Sequence, residues 1–229
     1  MNLRPGIILQ ARCASTRLPG KALERIGKRT LFEHCLHRLL ASGIDRVVLA
    51  TTTRHEDDGL AELARKAGAL VYRGSADDVL ARFAAAAETC QLDPVIRATG
   101  DNPAVDPQGA VRLLKLLEET GADYACESGL PIGAGLEAVT AAALHYAASA
   151  ATTPYDREHV TTFIKSQPRT FRIHTAAAPR DLAEPSLRLT VDTAEDLDWV
   201  RDLFGRVGRT YPTVAELIAA ARIPQTGVA

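Results

Sequence analysis

The stretch Ile7–Lys21, IILQARCASTRLPGK, decides how the rest of the chain is read. Ile7, Ile8 and Leu9 form a short apolar run that reads as a buried strand, and the small and polar residues after Arg12 cannot continue it. Arg12, Arg17 and Lys21 then put three cations into the loop that follows. Ligands of open α/β sheets bind outside the carboxyl ends of the strands, so a cationic loop there suits a polyanion. Gly20 lets the backbone approach closely and Pro19 restrains the turn. The loop reads as a phosphate-binding loop. It is not a Walker A loop, because Ala22 stands where Ser or Thr would hold magnesium and Ser15 where the first glycine would be. A lone glycine also excludes the dinucleotide fingerprint. The competing reading is a solvated basic loop with no ligand.

The composition narrows the classes. A chain of 229 residues suffices for one well-buried α/β domain spanning 1–229. The net charge of −1 gives no global basic field, which argues against nucleic acid and against a membrane surface as partners. No apolar run approaches the roughly 18 residues of a membrane span. Pro5-Gly6 leads straight into the first strand, so no signal-peptide pattern is expected. Cys13, Cys35, Cys90 and Cys126 are scattered without a C-x-x-C pair, as in reduced, cytoplasmic proteins. Cys13 sits in the loop itself, but no activating base is evident beside it.

Outward from the loop, strands and helices alternate. Thr30 and Glu33 form a capping-box pattern opening a helix with Leu31, Cys35, Leu36, Leu39 and Leu40 on one face. Strands are expected at 46–51, 70–72, 94–99 and 123–126, and helices through Leu60–Ala64, over 77–88 and over 107–120. The pattern implies a three-layer, Rossmann-like α/β fold with a mostly parallel sheet. Beyond Glu127, glycines 129, 133 and 135 mark a connection. Ala-rich helices at 138–150 and 155–166, strands at 171–174 and 187–191, and helices through Asp196–Leu203 and 213–221 make an elaborated C-terminal third. Trp199 is expected to pack in the core.

Two acidic points fall at strand ends. Asp101, in Gly100-Asp101-Asn102-Pro103, follows the strand ending at Thr99 and faces the same sheet edge as the loop. Its alternatives are a magnesium ligand or an Asx turn. Asp192 ends the strand expected at 187–191, whereas Thr193 and Asp196 have a capping-box spacing that gives Asp196 a structural task. Asp101 and Asp192 together could hold one Mg2+ ion beside a phosphate. His34 and His37, three apart on a helix, lack a third ligand nearby and read as surface or partly buried histidines.

Five segments occur in order: QARCASTRLPGK (10–21), RGSADDVLARF (73–83), RATGDNPAVDP (97–107), REHVT (157–161) and LRLTVDTAEDL (187–197). Over nearly the whole chain this set resembles the cytidylyltransferases of the spore-coat polysaccharide type. Those are relatives of the enzymes that make CMP-activated sialic acid and 3-deoxy-manno-octulosonate. The resemblance implies a nucleotide-diphospho-sugar transferase-like fold and CTP and a sugar as substrates. It also implies Mg2+ as cofactor, held by Asp101 and Asp192. It places Arg12, Lys21, Asp101 and Asp192 in catalysis. It places Gln10, Ala11, Ser15, Arg17, Arg97 and Thr99 at the nucleotide with them. Arg73, Ser75, Asp77, Asp78 and Arg82 match a segment on the nucleotide or sugar side, and Glu137, Arg157, Glu158 and His159 fall where the sugar would lie. The segment 128–155 is short beside the dimerisation insertion of the sialic acid and octulosonate enzymes, so a homodimer is an open expectation. No basic residue stands between Cys126 and Arg157, so an arginine clamp for a sugar carboxylate is not evident there. A sugar-1-phosphate nucleotidyltransferase and a non-catalytic nucleotide-binding protein are the alternative functions.

Overall fold

The computed structural model describes residues 4–223. Its strands are β1 (Arg4–Gln10), β2 (Arg25–Ile26), β3 (Arg29–Thr30), β4 (Val47–Thr52), β5 (Leu70–Gly74), β6 (Leu92–Thr99), β7 (Tyr124–Ser128), β8 (Glu137–Val139) and β9 (Ile173–Ala177). The helices are α1 (Leu31–Leu40), α2 (Asp58–Lys66), α3 (Val79–Thr89), α4 (Gln108–Thr120) and α5 (Ala141–Ala150). They continue with α6 (Pro154–His159), α7 (Thr162–Lys165), α8 (Ala194–Val207) and α9 (Val214–Ala221).

Seven strands form one sheet in the order β5-β4-β1-β6-β8-β7-β9, and β2 and β3 pair separately. The strands β5, β4, β1 and β6 run parallel, while β8 is antiparallel to both its neighbours. The chain leaves β1 toward β4 and β5, then returns to place β6 on the other side of β1. That reversal opens a crevice at the carboxyl ends of β1 and β6, the place where α/β sheets bind ligands.

The period of two along β1 divides the core. Ile7 and Leu9 face α1, α2 and α4, packing with Phe32, Leu36, Leu60 and Leu113. Ile8 faces the opposite layer, with Leu80 and Phe83 of α3 and Leu144 of α5. Each fully buried aliphatic side chain of this kind contributes about 2 kcal/mol. A third cluster gathers Leu187, Leu189 and Val191 with α8 and α9 over Ile26 and Leu31. The capping boxes at Thr30/Glu33 and Thr193/Asp196 are both formed.

The C-terminal third departs from the expected elements in several places. The helix expected from 138 begins only at Ala141, because Glu137–Val139 is inserted as β8 between β6 and β7. Three residues are too few for a period-2 signal to emerge. The helix expected over 155–166 is cut in two at Val160, where φ is 62° and ψ −60°. Thr161 N donates to His159 O at 2.6 Å, closing a strained γ-turn. The strand expected at 171–174 lies at Ile173–Ala177.

Leu187–Val191 is not a strand of the sheet. It is extended and alternates its apolar residues inward, but it makes a single bridge, Arg188 to Ile132. Its backbone is tied by Ile132 N to Leu187 O at 2.9 Å, Leu189 N to Ile132 O at 2.7 Å and Val191 N to Asp101 O at 2.9 Å. Trp199 is half-buried rather than in the core; its indole N–H donates to Arg188 O at 3.0 Å. His34, by contrast, is fully buried and bonds Ile26 O at 2.9 Å, and His37 is partly buried.

Gly133 holds the extended segment in place. Its φ is +94°, and a Cβ there would lie 2.5 Å from Thr190 N. Gly133→Ala should therefore push Thr190 away and lower stability by about 2 kcal/mol, read by urea denaturation. An unchanged unfolding midpoint would contradict this account of the segment.

Candidate active site

A cavity of about 370 Å³ lies at the crevice. Gln10, Ala11, Arg12, Ser15, Arg17, Lys21, Arg97, Thr99, Asp101, Glu158, His159 and Asp192, all singled out in the sequence, line it. Val79, Arg82 and Gly100 complete its walls with other loop residues. The register explains the convergence, since Gln10 pairs with Thr99 across β1 and β6. Gly100 N donates to Gln10 O at 2.8 Å. A Cβ on Gly100 would meet the Ala11 Cβ at 2.7 Å, so only glycine lets the two loops touch.

Lys21 sits at the centre of the charged groups. Its Nζ donates to Asp101 Oδ2 at 3.3 Å, Asp192 Oδ1 at 3.1 Å and Val191 O at 2.8 Å. Gly20, in the left-handed conformation at φ 72°, turns the chain so that Lys21 points inward. Arg17 reaches Asp192 at 2.9 Å, and Arg188 does the same from the other side at 2.9 Å. Burial pushes the Asp192 carboxyl upward, but the Lys21 bond and the neighbouring cations outweigh it and hold its pKa below the usual range.

The two aspartates are thus brought to one point, the Lys21 ammonium, at the cavity. That donor set, two hard carboxylates with open space beside them, fits a magnesium ion that keeps several water or phosphate oxygens. Among the described residues no group of three or more His, Cys, Asp or Glu side chains could hold a metal ion. The remaining ligands would have to come from substrate and solvent.

The loop is anchored from behind by a residue the sequence reading did not single out for the site. Asp57 is fully buried, accepts from Cys13 N at 2.7 Å and bonds the Thr52 hydroxyl and amide. Its sequence context, His55-Glu56-Asp57-Asp58, reads as a polar helix start, and nothing local signals its turn back toward the loop. Burial, with Asp57 beside it, pushes the Cys13 thiol up to about 11, which removes it as a nucleophile at neutral pH.

Arg73, Ser75, Asp78, Glu137 and Arg157 do not line the cavity. Arg73 donates to Thr52 O, Arg54 O and Asp58. Ser75 Oγ accepts from Asp77 N and Asp78 N. Asp78 caps α3 through Ala81 N at 2.9 Å and binds Arg157, whose guanidinium also donates to Ala148 O and Ala151 O. These groups fix the walls. Glu137 takes hydrogen bonds from Arg97 at 2.6 Å, Tyr124 at 2.6 Å, Lys165 at 2.9 Å and Thr161 at 3.0 Å. It therefore holds Arg97 from the side away from the cavity. The γ-turn at Val160 leaves Glu158 and His159 facing the cavity while Thr161 turns to Glu137.

Comparison with known proteins agrees with this geometry. The cytidylyltransferase family model matches residues 6–216. The spore coat polysaccharide biosynthesis protein SpsF of Bacillus subtilis (strain 168) is 36% identical over 92% of this chain and 91% of its own. A cytidylyltransferase structure from Leptospira borgpetersenii serovar Hardjo-bovis superposes with a TM-score of 0.88 at 30% identity, covering 96% of this chain and 94% of that one. A CMP:2-keto-3-deoxy-manno-octonic acid synthetase complexed with CTP shares the fold at a TM-score of 0.64 and 18% identity, over 88% and 98% of the two chains. The architecture is the nucleotide-diphospho-sugar transferase-like fold expected from the sequence.

The Glu137 cluster has a pH signature. Burial pushes its carboxyl up, but the charges of Arg97 and Lys165 and the Tyr124 and Lys165 bonds outweigh this and hold the pKa at about 2. A depressed carboxylate stabilises the fold above its unfolded value near 4.5 and loses that contribution as pH falls toward 2. The contribution is on the order of 3 kcal/mol. Glu137→Gln should cost a comparable amount at pH 7 and flatten the decline in unfolding free energy between pH 5 and 2. Parallel pH curves for the two proteins would exclude this role.

Proposed function

The chain belongs to the cytidylyltransferase family, and from that premise we propose that it transfers CMP from CTP to a sugar hydroxyl in a magnesium-dependent reaction. The hydroxyl oxygen attacks the α-phosphorus in line and releases its proton to solvent, the bond to the β-phosphate oxygen breaks, and pyrophosphate leaves. The product is a CMP-sugar for surface polysaccharide or glycoconjugate synthesis. The observation that carries this reading is the convergence of Asp101 and Asp192 on the Lys21 ammonium, in a cavity that Arg12 and Arg17 also line.

Each residue has a task that follows from its place. Asp101 and Asp192 would hold the magnesium, which when bound supplies charge neutralisation and a lowered pKa for a coordinated hydroxyl. Arg17, beside Asp192, offers donors to the phosphate oxygens where negative charge builds, and Lys21 adds its positive charge next to them. Arg12 is held by Ala76 O at 3.0 Å and lies 3.8 Å from Glu158, bridging the nucleotide and sugar sides of the cavity. Glu158 and His159 face the remaining space and are the groups to orient the sugar. The geometry supports electrostatic positioning as the main catalytic contribution.

Pyrophosphate release with magnesium and each ribonucleoside triphosphate, against ulosonic acids, neutral sugars and sugar-1-phosphates, tests the proposal. Release confined to CTP with a sugar hydroxyl, and a nucleoside monophosphate-sugar as product, is expected. A diphosphate-sugar formed from a sugar-1-phosphate would replace it with the alternative enzyme class. Asp101→Asn and Asp192→Asn should each lower turnover by about 100-fold or more with circular dichroism unchanged. Full activity in either variant would remove the metal assignment.

A further inference from the structure

Arg82 is the cavity residue whose environment is hardest to explain without a ligand. It lies in the first turns of α3, only 3% exposed, and forms part of the cavity wall. Its Nη1 donates to Ser75 O, and its Nε is buried with no partner. Among the described residues no carboxylate lies within ion-pair distance of it. The nearest acids are already committed: Asp57 to Cys13 N and Thr52, Asp78 to Arg157 and Ala81 N. Instead a second cation is close by, and burial together with the Arg12 charge holds the Arg82 pKa below its usual value.

An arginine buried without a counter-charge is unfavourable unless something offsets it. Arg38 is a useful contrast. It too is buried without an ion pair and with an unpartnered Nε, but its guanidinium lies 5.9 Å from the centre of the Phe204 ring, bonds Pro212 O, and does not line this cavity. Arg82 has no such ring and opens onto the space shared with Arg12 and Lys21. The wall is also built around it. Successive carbonyls of one turn hold the two guanidinium groups, Ser75 O for Arg82 and Ala76 O for Arg12. Ser75 Oγ fixes that turn by accepting from Asp77 N and Asp78 N. Gly74 lets Arg82 pack against the end of β5, since a Cβ there would come within 3.2 Å of its Cγ.

We propose that Arg82 binds a phosphate group of the nucleotide, paired with Arg12 as an anion clamp preset by the Ser75-Ala76 turn. Two adjacent guanidinium groups are satisfied by an anion with several acceptor oxygens, and a neutral base edge leaves their charge uncompensated. The identity of the nucleotide rests on the function proposed above; the anion site itself does not.

The test is calorimetric titration of the full-length protein with CTP, inorganic tripolyphosphate and cytidine, for wild type and Arg82→Met, together with the ligand-free melting temperature. Arg82→Met should weaken CTP and tripolyphosphate at least tenfold, leave cytidine binding unchanged, and melt no lower than wild type without ligand. That combination is foreign to a structural role: the Ser75 bond is lost in either case, but only an uncompensated buried charge offsets that loss on removal, and only a phosphate contact spares cytidine. Should the Met variant fail to fold, Arg82→Lys decides: a phosphate-binding role weakens tripolyphosphate and CTP and leaves cytidine unchanged, whereas a structural role weakens cytidine as much as tripolyphosphate. Unchanged tripolyphosphate affinity in Arg82→Met, or loss confined to CTP and cytidine, would overturn the proposal. A wild-type protein that ignores CTP yet binds tripolyphosphate through Arg82 would sink the cytidylyltransferase reading and leave the clamp standing.

Discussion

One ammonium group joins parts of the chain that the sequence keeps far apart. Lys21 Nζ meets Asp101 after β6, and Asp192 and the Val191 carbonyl before α8. The rest of the site is arranged around this meeting. It requires β6 to lie directly beside β1, which the sheet order provides. It also requires the chain to return from the far edge of the sheet after β9. The extended segment 187–191 makes that return, held to Ile132 and Asp101 by backbone hydrogen bonds and to α8 and α9 by apolar burial. The C-terminal third is therefore part of the site rather than an appendage, because without it the Lys21 charge would have only Asp101.

Electrostatics explains why so many carboxylates stand behind the cationic groups. Arg12, Arg17, Lys21, Arg82 and Arg97 all face one cavity, and like charges at such spacing repel when partly shielded from water. Asp192 answers Lys21, Arg17 and Arg188, and Glu137 answers Arg97 and Lys165. Asp192 is itself held in place from α8, since Asp196 accepts from its backbone N–H at 2.9 Å and pairs with Arg188. Arg82 falls outside these pairings. The residual positive charge is thereby concentrated at the wall that Arg82 shares with Arg12.

The parallel half of the fold was legible because each strand there contains a short apolar run and the helices carry apolar stripes. Arg46–Thr51 was expected and Val47–Thr52 is formed; the capping boxes of α1 and α8 were each read from a pair of residues three apart. Legibility failed where tertiary pairing overrides local pattern. β8 exists because β6 and β7 leave a gap between them, and its three residues carry no period of their own. The break at Val160 has the opposite cause: a β-branched residue at positive φ has no sequence signal, and only packing on both sides sustains it. Leu187–Val191 has the alternation of a strand but spends it on α8 and α9, not on a sheet.

The site shows a related asymmetry. Arg12, Arg17, Lys21, Asp101 and Asp192 were found through charge at strand ends, a signal with a physical basis in where sheets expose their carboxyl edges, while Glu158 and His159 came from the motif resemblance alone. Motif resemblance reached further but could not tell contact from support. Arg73, Asp78 and Arg157 belong to the matched segments and Glu137 lies outside them, yet all four spend their hydrogen bonds on other protein groups. Asp57 does equivalent work from outside any matched segment, invisible because its partner Cys13 N is a backbone group. A guanidinium with all its donors bonded to carbonyls and carboxylates sets the shape of a pocket. One with donors left over, as in Arg82, has the capacity to bind what enters it. Unspent donors that face a cavity therefore mark a group free to meet a ligand, a distinction that sequence similarity alone does not draw.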